Sequence, residues 1–403
     1  MKAMRTAYIG VIAVSALAVV AGAWQVAGER ATSLPAPFAT PSANNRPRVI
    51  PAPSGAKVNV PKGFTVDVWA EGFRVPRFIL QGEHNEILLA DSGGNIYAFP
   101  NGDPKQRKEV VSGIERPYGL ALWHEYLYVG TPTSIKRFKY DPATFTAADG
   151  QEIFSLAGDN QGHWTRSLLF DRAGAKLYVG VGSAGNIDVG NEGRAAIHQM
   201  NPDGSGNVLY ASGTRNPIGL HWYPGTDTLW AVVQERDALG DDLVPDYFTH
   251  IQPQGFYGYP WAYSGHYKEP RQNECRPQLS AREADAMIAK SITPDLLLGA
   301  HVAGLDYTFY TGKQFPAKYR DGAFIAFHGS WNRSKRVGYE VAFVPFKDGK
   351  PVSGPEDFMT GFMLSPESQD VWGRPVAVFQ MKDGSLLVTD DGGRKIWRIA
   401  YQG

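Results

Sequence analysis

The chain has 403 residues and balances 40 Lys+Arg against 40 Asp+Glu. No overall field favours nucleic acid or an anionic membrane surface, which disfavours both as partners. The 45 Gly, 28 Pro and the 10 Trp, 19 Tyr and 20 Phe suit short strands joined by tight turns, and a lone cysteine, Cys275, excludes an intrachain disulfide.

The N-terminus has the order of an export signal. Lys2 and Arg5 precede an almost wholly apolar stretch from Ala7 to Val20, followed by the small residues Ala21-Gly22-Ala23. This predicts a secretory signal over 1–23 and a periplasmic or secreted protein. The alternative is an uncleaved anchor, but the apolar stretch is short for a bilayer span of about 20 residues. Residues 24–57, rich in Pro, Ala and Ser, read as a disordered or extended linker. Residues 58–403 read as one catalytic domain with an insertion at about 262–300.

From about Pro61 a unit recurs: a small or Pro/Gly-containing lead-in, a short apolar strand, a turn, then two further strands. Copies begin at Pro76-Arg77-Phe78, Arg116-Pro117-Tyr118, Thr165-Arg166-Ser167, Asn216-Pro217-Ile218, Ala303-Gly304-Leu305 and Gly373-Arg374-Pro375. Radial repetition of small antiparallel sheets predicts an all-β fold, a six-bladed β-propeller of four-stranded blades. An extra strand at 63–70 precedes the first copy and is expected to complete the last blade. Helical periodicity is confined to a short segment around 281–290 in the insertion.

The phase of the repeat locates a site. In an antiparallel blade, the start of the innermost strand and the end of the second lie on one face, so these positions converge on one mouth of the channel. Innermost-strand starts carry Arg77, Arg116, His163 with Arg166, Arg215 with Asn216, His301 and Arg374. Second-strand ends carry Asp91, Gly182-Ser183, Gln234 to Asp237, His328 to Arg333, and Asp390-Asp391. The opposite ends carry no comparable set. Clustered arginine suits a ligand with several carboxylates or phosphates, which its planar fork binds bidentately. Each residue also has a plain reading: turn, rim packing or solvated loop. Their coincidence at one mouth argues for a site.

Gly162-His163-Trp164-Thr165-Arg166, Gly213-Thr214-Arg215-Asn216-Pro217, Glu235-Arg236-Asp237 with Gly240-Asp241-Asp242, Phe327-His328-Gly329-Ser330-Trp331-Asn332-Arg333, and Gly373-Arg374-Pro375 resemble the sorbosone dehydrogenase branch of the soluble pyrroloquinoline-quinone (PQQ)-dependent sugar dehydrogenases, over roughly residues 60–401. The resemblance implies PQQ over the channel mouth, with Ca2+ against it. It implies His163 as the base that takes the sugar hydroxyl proton, hydride passing to the quinone, and an imidazole pKa near operating pH. It implies Arg215 as the group that stabilises charge on the quinone oxygen, with Asn216 beside it. Arg77, Arg333 and Arg374 would clamp the quinone carboxylates, and His328 and Asn332 would contact its edge. Backbone carbonyls of Glu235 and Arg236 match the calcium position, and Asp237, Asp241 and Asp242 would add negative field or order the loop. The chain departs from the pattern at Trp164, where many relatives carry His, and at Gly304, where they often carry Pro. Asp159 and Asp188 are candidates to partner His163. An external electron acceptor is implied, but the sequence holds no haem-attachment motif to identify it.

Two other classes compete. A lactonase-type propeller hydrolase would hold a channel metal on side-chain carboxylates and amides, which an arginine-rich mouth opposes. A non-catalytic binding propeller explains fold and export but not His163 beside the arginines.

Overall fold

In the computed structural model, residues 33–156, 162–187, 193–271 and 280–403 are described. The signal segment, Cys275, Asp159 and Asp188 lie outside them. Among the described residues no helix is long and apolar enough to cross a membrane.

The repeat folds as six blades around a channel. Blade one runs outward through Pro76–Gln81, Ile87–Asp91, Asn95–Phe99 and Lys108–Ser112. Blade two contains Leu120–Trp123, Tyr126–Gly130, Ser134–Asp141 and Thr146–Ser155; blade three contains Leu168–Phe170, Leu177–Val181, Ala196–Met200 and Val208–Ser212. Blade four contains Asn216–Trp222, Leu229–Gln234, Pro245–His250 and Leu296–Ala300. Blade five contains Gly304–Phe309, Gly322–Phe327, Glu340–Lys347 and Glu356–Met359. Blade six takes three strands from the C-terminus, Pro375–Gln380, Leu386–Asp390 and Lys395–Tyr401, and its fourth from the N-terminal side, Phe64–Glu71. That last pairing, Phe64 against Tyr401 and Val66 against Ile399, closes the ring as the extra strand predicted.

Burial follows from the layering. Second strands such as Ile87–Asp91, Leu177–Val181, Gly322–Phe327 and Leu386–Asp390 are buried at every residue. Blades cover both of their faces, so they read as continuous apolar runs rather than alternating ones. A separate apolar core fills each junction between neighbouring blades, for example Leu88, Ile96, Leu127 and Val129 between blades one and two. The channel itself is plugged by Tyr118, Ile218, Leu305 and Val376, with Trp164 packed above them. It is therefore a floor beneath the mouth rather than an open pore.

The long insertion differs from its expected bounds. Leu296–Ala300 is the fourth strand of blade four, paired with Pro245–His250, so the connection runs over 251–295. It starts early because Gly255–Phe256 adds in parallel to the outer strand of blade three. The expected helix is Ala281–Ala289, begun by a capping box in which Ser280 and Glu283 satisfy each other's backbone N–H. The described part of the linker is extended, as one reading allowed, but it is docked. Arg48–Val49 pairs in parallel with Asp370–Val371, and just beyond the linker Asn59 bridges Thr360.

Candidate functional site

His163 enters the mouth from the lead-in to blade three. Its Nδ1–H donates to the Ser183 carbonyl at 2.9 Å, leaving the Nε2 lone pair for another partner. Its own carbonyl accepts from Arg166 Nη1 at 2.7 Å and Arg194 Nη2 at 3.1 Å, which fixes the backbone beneath the ring. Burial, then the charge of Arg215, push the imidazole down to about 3. The ring is thus neutral, held so first by burial and then by a neighbouring cation, and lies below the near-neutral range that the resemblance implies.

Arg215 is buried and fully engaged. Nη1 donates to the Glu235 carbonyl at 2.5 Å, Nε to the Asn186 carbonyl at 3.1 Å, Nη2 to Asn186 Oδ1 at 3.0 Å, and Asp237 lies 3.6 Å away. Asp237 also faces His301 Nδ1 at 3.3 Å, while His301 Nε2–H donates to the Gly240 carbonyl. Burial pushes the Asp237 carboxyl up, but the His301 hydrogen bond and the Arg215 charge outweigh it and lower the pKa. Asn216 starts the neighbouring strand. Its Nδ2 donates to Gln234 Oε1 at 2.8 Å, while its buried Oδ1 has no partner. A Cβ at Gly182 would stand 2.2 Å from that Oδ1 and 2.4 Å from the His163 Cβ, so only glycine leaves room for both side chains as placed.

Across the mouth lies a second group. Asp391 bridges Arg77 Nη2 at 2.5 Å and His328 Nε2 at 2.9 Å, and Arg374 Nε donates to the His328 carbonyl at 3.2 Å. His328 is pushed down to about 4, first by burial and then by Arg374. Arg77 and Arg116 both lie over the Trp164 ring, at 5.3 and 4.1 Å, so the tryptophan links this group to His163. Burial, then the charge of Arg77, lowers the Arg116 pKa, and burial lowers that of Arg374. Arg77 and Arg374 flank the bridging carboxylate of Asp391, and Arg116 adds a third guanidinium over Trp164. The buried Nε of Arg77 has no partner, so a donor waits there for an anion.

At the rim, Asn332 and Arg333 turn towards the acidic loop. Asn332 Oδ1 accepts from the Ala238 N–H at 2.7 Å, Arg333 Nη2 pairs with Asp242 at 2.8 Å, and Arg333 Nη1 donates to the Asp241 carbonyl. Other mouth residues take the plain reading. Asp390 accepts from the N–H groups of Arg374 and Gly393 and from Trp397 Nε1, and Asp91 accepts from those of Arg74 and Val75. Both cap the lead-in to their own blade's innermost strand. The guanidinium of Arg166 ties the carbonyls of Pro132, His163 and Thr165. Gly304 packs against Val232, where a Cβ would come within 2.6 Å.

The residues as placed fit an anionic ligand, while the calcium position expected at the Glu235 and Arg236 carbonyls would draw on main-chain oxygens rather than side chains. The Glu235 carbonyl accepts from the Arg215 guanidinium, which leaves one lone pair on that oxygen, and the Arg236 side chain is buried against Glu269 at 2.9 Å. Burial raises the Glu235 carboxyl to about 8, so it is protonated at neutral pH. Among the described residues no three His, Cys, Asp or Glu side chains gather as metal ligands. Asn186 and Asp391 are the residues that sequence reasoning undervalued. Asp391 stood in the repeat phase but had no assigned role. Asn186, which receives Arg215 and the Asp237 N–H, sits in a loop without a recurring pattern.

Residues 58–402 match the family described as TrAA12-like. An uncharacterized protein of Borreliella burgdorferi is 28% identical over 358 residues, covering 86% of this chain and 91% of its own length. A pyrroloquinoline quinone-dependent pyranose dehydrogenase of Coprinopsis cinerea is 27% identical over 332 residues, covering 72% of this chain but only 45% of that protein. Among solved structures, the holo PQQ domain of the Coprinopsis cinerea pyranose dehydrogenase superposes with a TM-score of 0.72 at 23% identity, over 87% of this chain and 98% of that one. A calcium structure of the Trichoderma reesei family AA12 protein gives 0.74 at 20% identity, over 89% and 99%. The soluble aldose sugar dehydrogenase of Escherichia coli gives 0.62 at 15% identity, over 84% and 99%. At these identities the superpositions speak for the propeller fold, while the match across nearly all of the propeller speaks for descent: the chain belongs to the TrAA12-like family.

Proposed function

We propose that this chain is an exported sugar oxidoreductase that works with PQQ. The observation that carries the reading is a neutral His163, with Nδ1–H committed to Ser183 and Nε2 bare, set beside Arg215 in a mouth lined by arginine. When bound, PQQ supplies the acceptor for the hydride that leaves the sugar carbon. Arg77 and Arg374 would hold its carboxylates, Arg215 would supply positive charge to the reducible end, and the Trp164 floor would exclude water from below. His163 Nε2 takes the proton of the sugar hydroxyl. The names of the Coprinopsis cinerea relative and its PQQ domain support this reading. The periplasm is its proposed place, an external carrier its electron acceptor, and an aldose or sorbosone-like sugar its substrate.

The test is reconstitution. The mature protein, with PQQ and with or without Ca2+, is assayed for dye reduction with a panel of pyranoses, other aldoses and sorbosone. Sugar-dependent reduction only with PQQ supports the proposal; lactone hydrolysis without PQQ would replace it with the hydrolase reading. His163→Ala should lower turnover by about 10²–10⁴ while leaving PQQ uptake intact.

A further inference from the structure

We propose that residues 38–50, the strap ahead of the propeller, are a working part of the mouth, and that Asn45 is a positioning residue for the site. The strap lies outside the segment matched by the family, which begins at residue 58. Yet it crosses the rim and joins two loops that carry site residues, 237–242 of blade four and 330–336 of blade five.

Every polar group of Asn45 is used on the blade-five loop or on Arg336 within it. The N–H donates to the Trp331 carbonyl at 2.8 Å, and Nδ2 donates to the carbonyls of Arg333 at 3.2 Å and Ser334 at 3.0 Å. Its carbonyl and Oδ1 both accept from Arg336 Nη2, at 2.8 and 2.9 Å. Arg336 is only 2% exposed and also ties the carbonyls of Ser330, Ser368 and Arg46, so it depends on partners that the strap provides.

The second junction runs to blade four. The Ala43 carbonyl accepts from Asn332 Nδ2, whose Oδ1 holds the Ala238 N–H at 2.7 Å. Thr40 Oγ1 accepts from the Asp241 N–H at 2.7 Å, and the Phe38 N–H donates to the Leu239 carbonyl at 2.8 Å. The strap runs so close that a Cβ at Gly240, whose φ is +109°, would lie 2.8 Å from the Thr40 carbonyl oxygen. Loop 237–242 begins with Asp237, the partner of Arg215 and His301. The strap is thus two contacts from the group that sets the His163 field, and it holds Arg333 against Asp241 and Asp242.

Hydrogen–deuterium exchange on the ligand-free mature protein tests this without relying on the proposed activity. Three variants are compared: Asn45→Ala, a chain starting at residue 51, and Arg48→Ala. Arg48 shares the strap but makes an exposed ion pair with Asp370. Asn45→Ala should raise exchange at 237–242 and 330–336 and leave the blade strands unchanged; Arg48→Ala should leave both the loops and the strands unchanged. With PQQ as probe, followed by fluorescence quenching, uptake by Asn45→Ala should weaken about tenfold, with a smaller fall in kcat at saturating PQQ. Unchanged exchange in both loops, or a uniform rise across the blades, overturns the proposal, and Asn45→Ala decides this even where the truncated chain fails to fold. If wild-type protein takes up no PQQ, the proposed function fails while the exchange result still decides the strap.

Discussion

His163 and Arg215 lie in one electrostatic field, and the histidine's protonation reports on it. Burial and the Arg215 charge hold the imidazole at about 3. In ligand-free protein it should therefore remain neutral at every pH above about 5. Arg215→Gln removes a positive charge that opposes protonation, so it should move the titration upward; an anion bound beside Arg215 should act in the same direction. Imidazole NMR from pH 4 to 8 reads all three states. A His163 titration near 6.5 in the ligand-free wild type would mean that the ring does not sense Arg215 as described. The sequence placed both residues at the mouth because their phase in the repeat is fixed. The resemblance implied a pKa near operating pH; the lower value depends on burial and on a partner 52 positions away, which the repeat does not reveal.

At the scale of elements, the end of the second strand in blade three matters most. Gly182 follows Leu177–Val181 and lies against both His163 and Asn216. Gly182→Ala must push one of them aside. It should lower turnover by at least about tenfold with little loss of thermal stability, because misplacing a reacting group costs more than the small backbone strain. A kinetic assay beside a melting curve checks this; unchanged turnover would show that the base tolerates displacement. Elements with a recurring period were legible, and those without were not. The strap is ordered by bonds such as Asn45 to Trp331 and Ala43 to Asn332, across almost 300 residues, and its Pro/Ala/Ser composition carries no trace of them. Asn186 was missed for the same reason. The insertion was misbounded because Leu296–Ala300 follows a long irregular connection rather than a tight turn.

For the whole molecule, the blade count and the closing strand were readable from copies of one unit, since each blade must bury both faces against neighbours. Closure concentrates energy at Phe64. Its ring packs edge-on against Phe315, Tyr319 and Phe358, with centroids at 4.7–5.4 Å, and against Tyr401. Phe64→Ala should cost about 3–5 kcal/mol in denaturant unfolding. A loss below about 1 kcal/mol would mean that the seam does not limit stability.

That seam also imposes a chronology. Phe64–Glu71 is made early, but its partner Lys395–Tyr401 is among the last residues to be synthesised. Until then an apolar strand waits with an unpaired edge, a standing invitation to mispairing. A chain terminated before residue 395 lacks the partner of Phe64–Glu71 and leaves the ring open, whatever the quality of its first five blades.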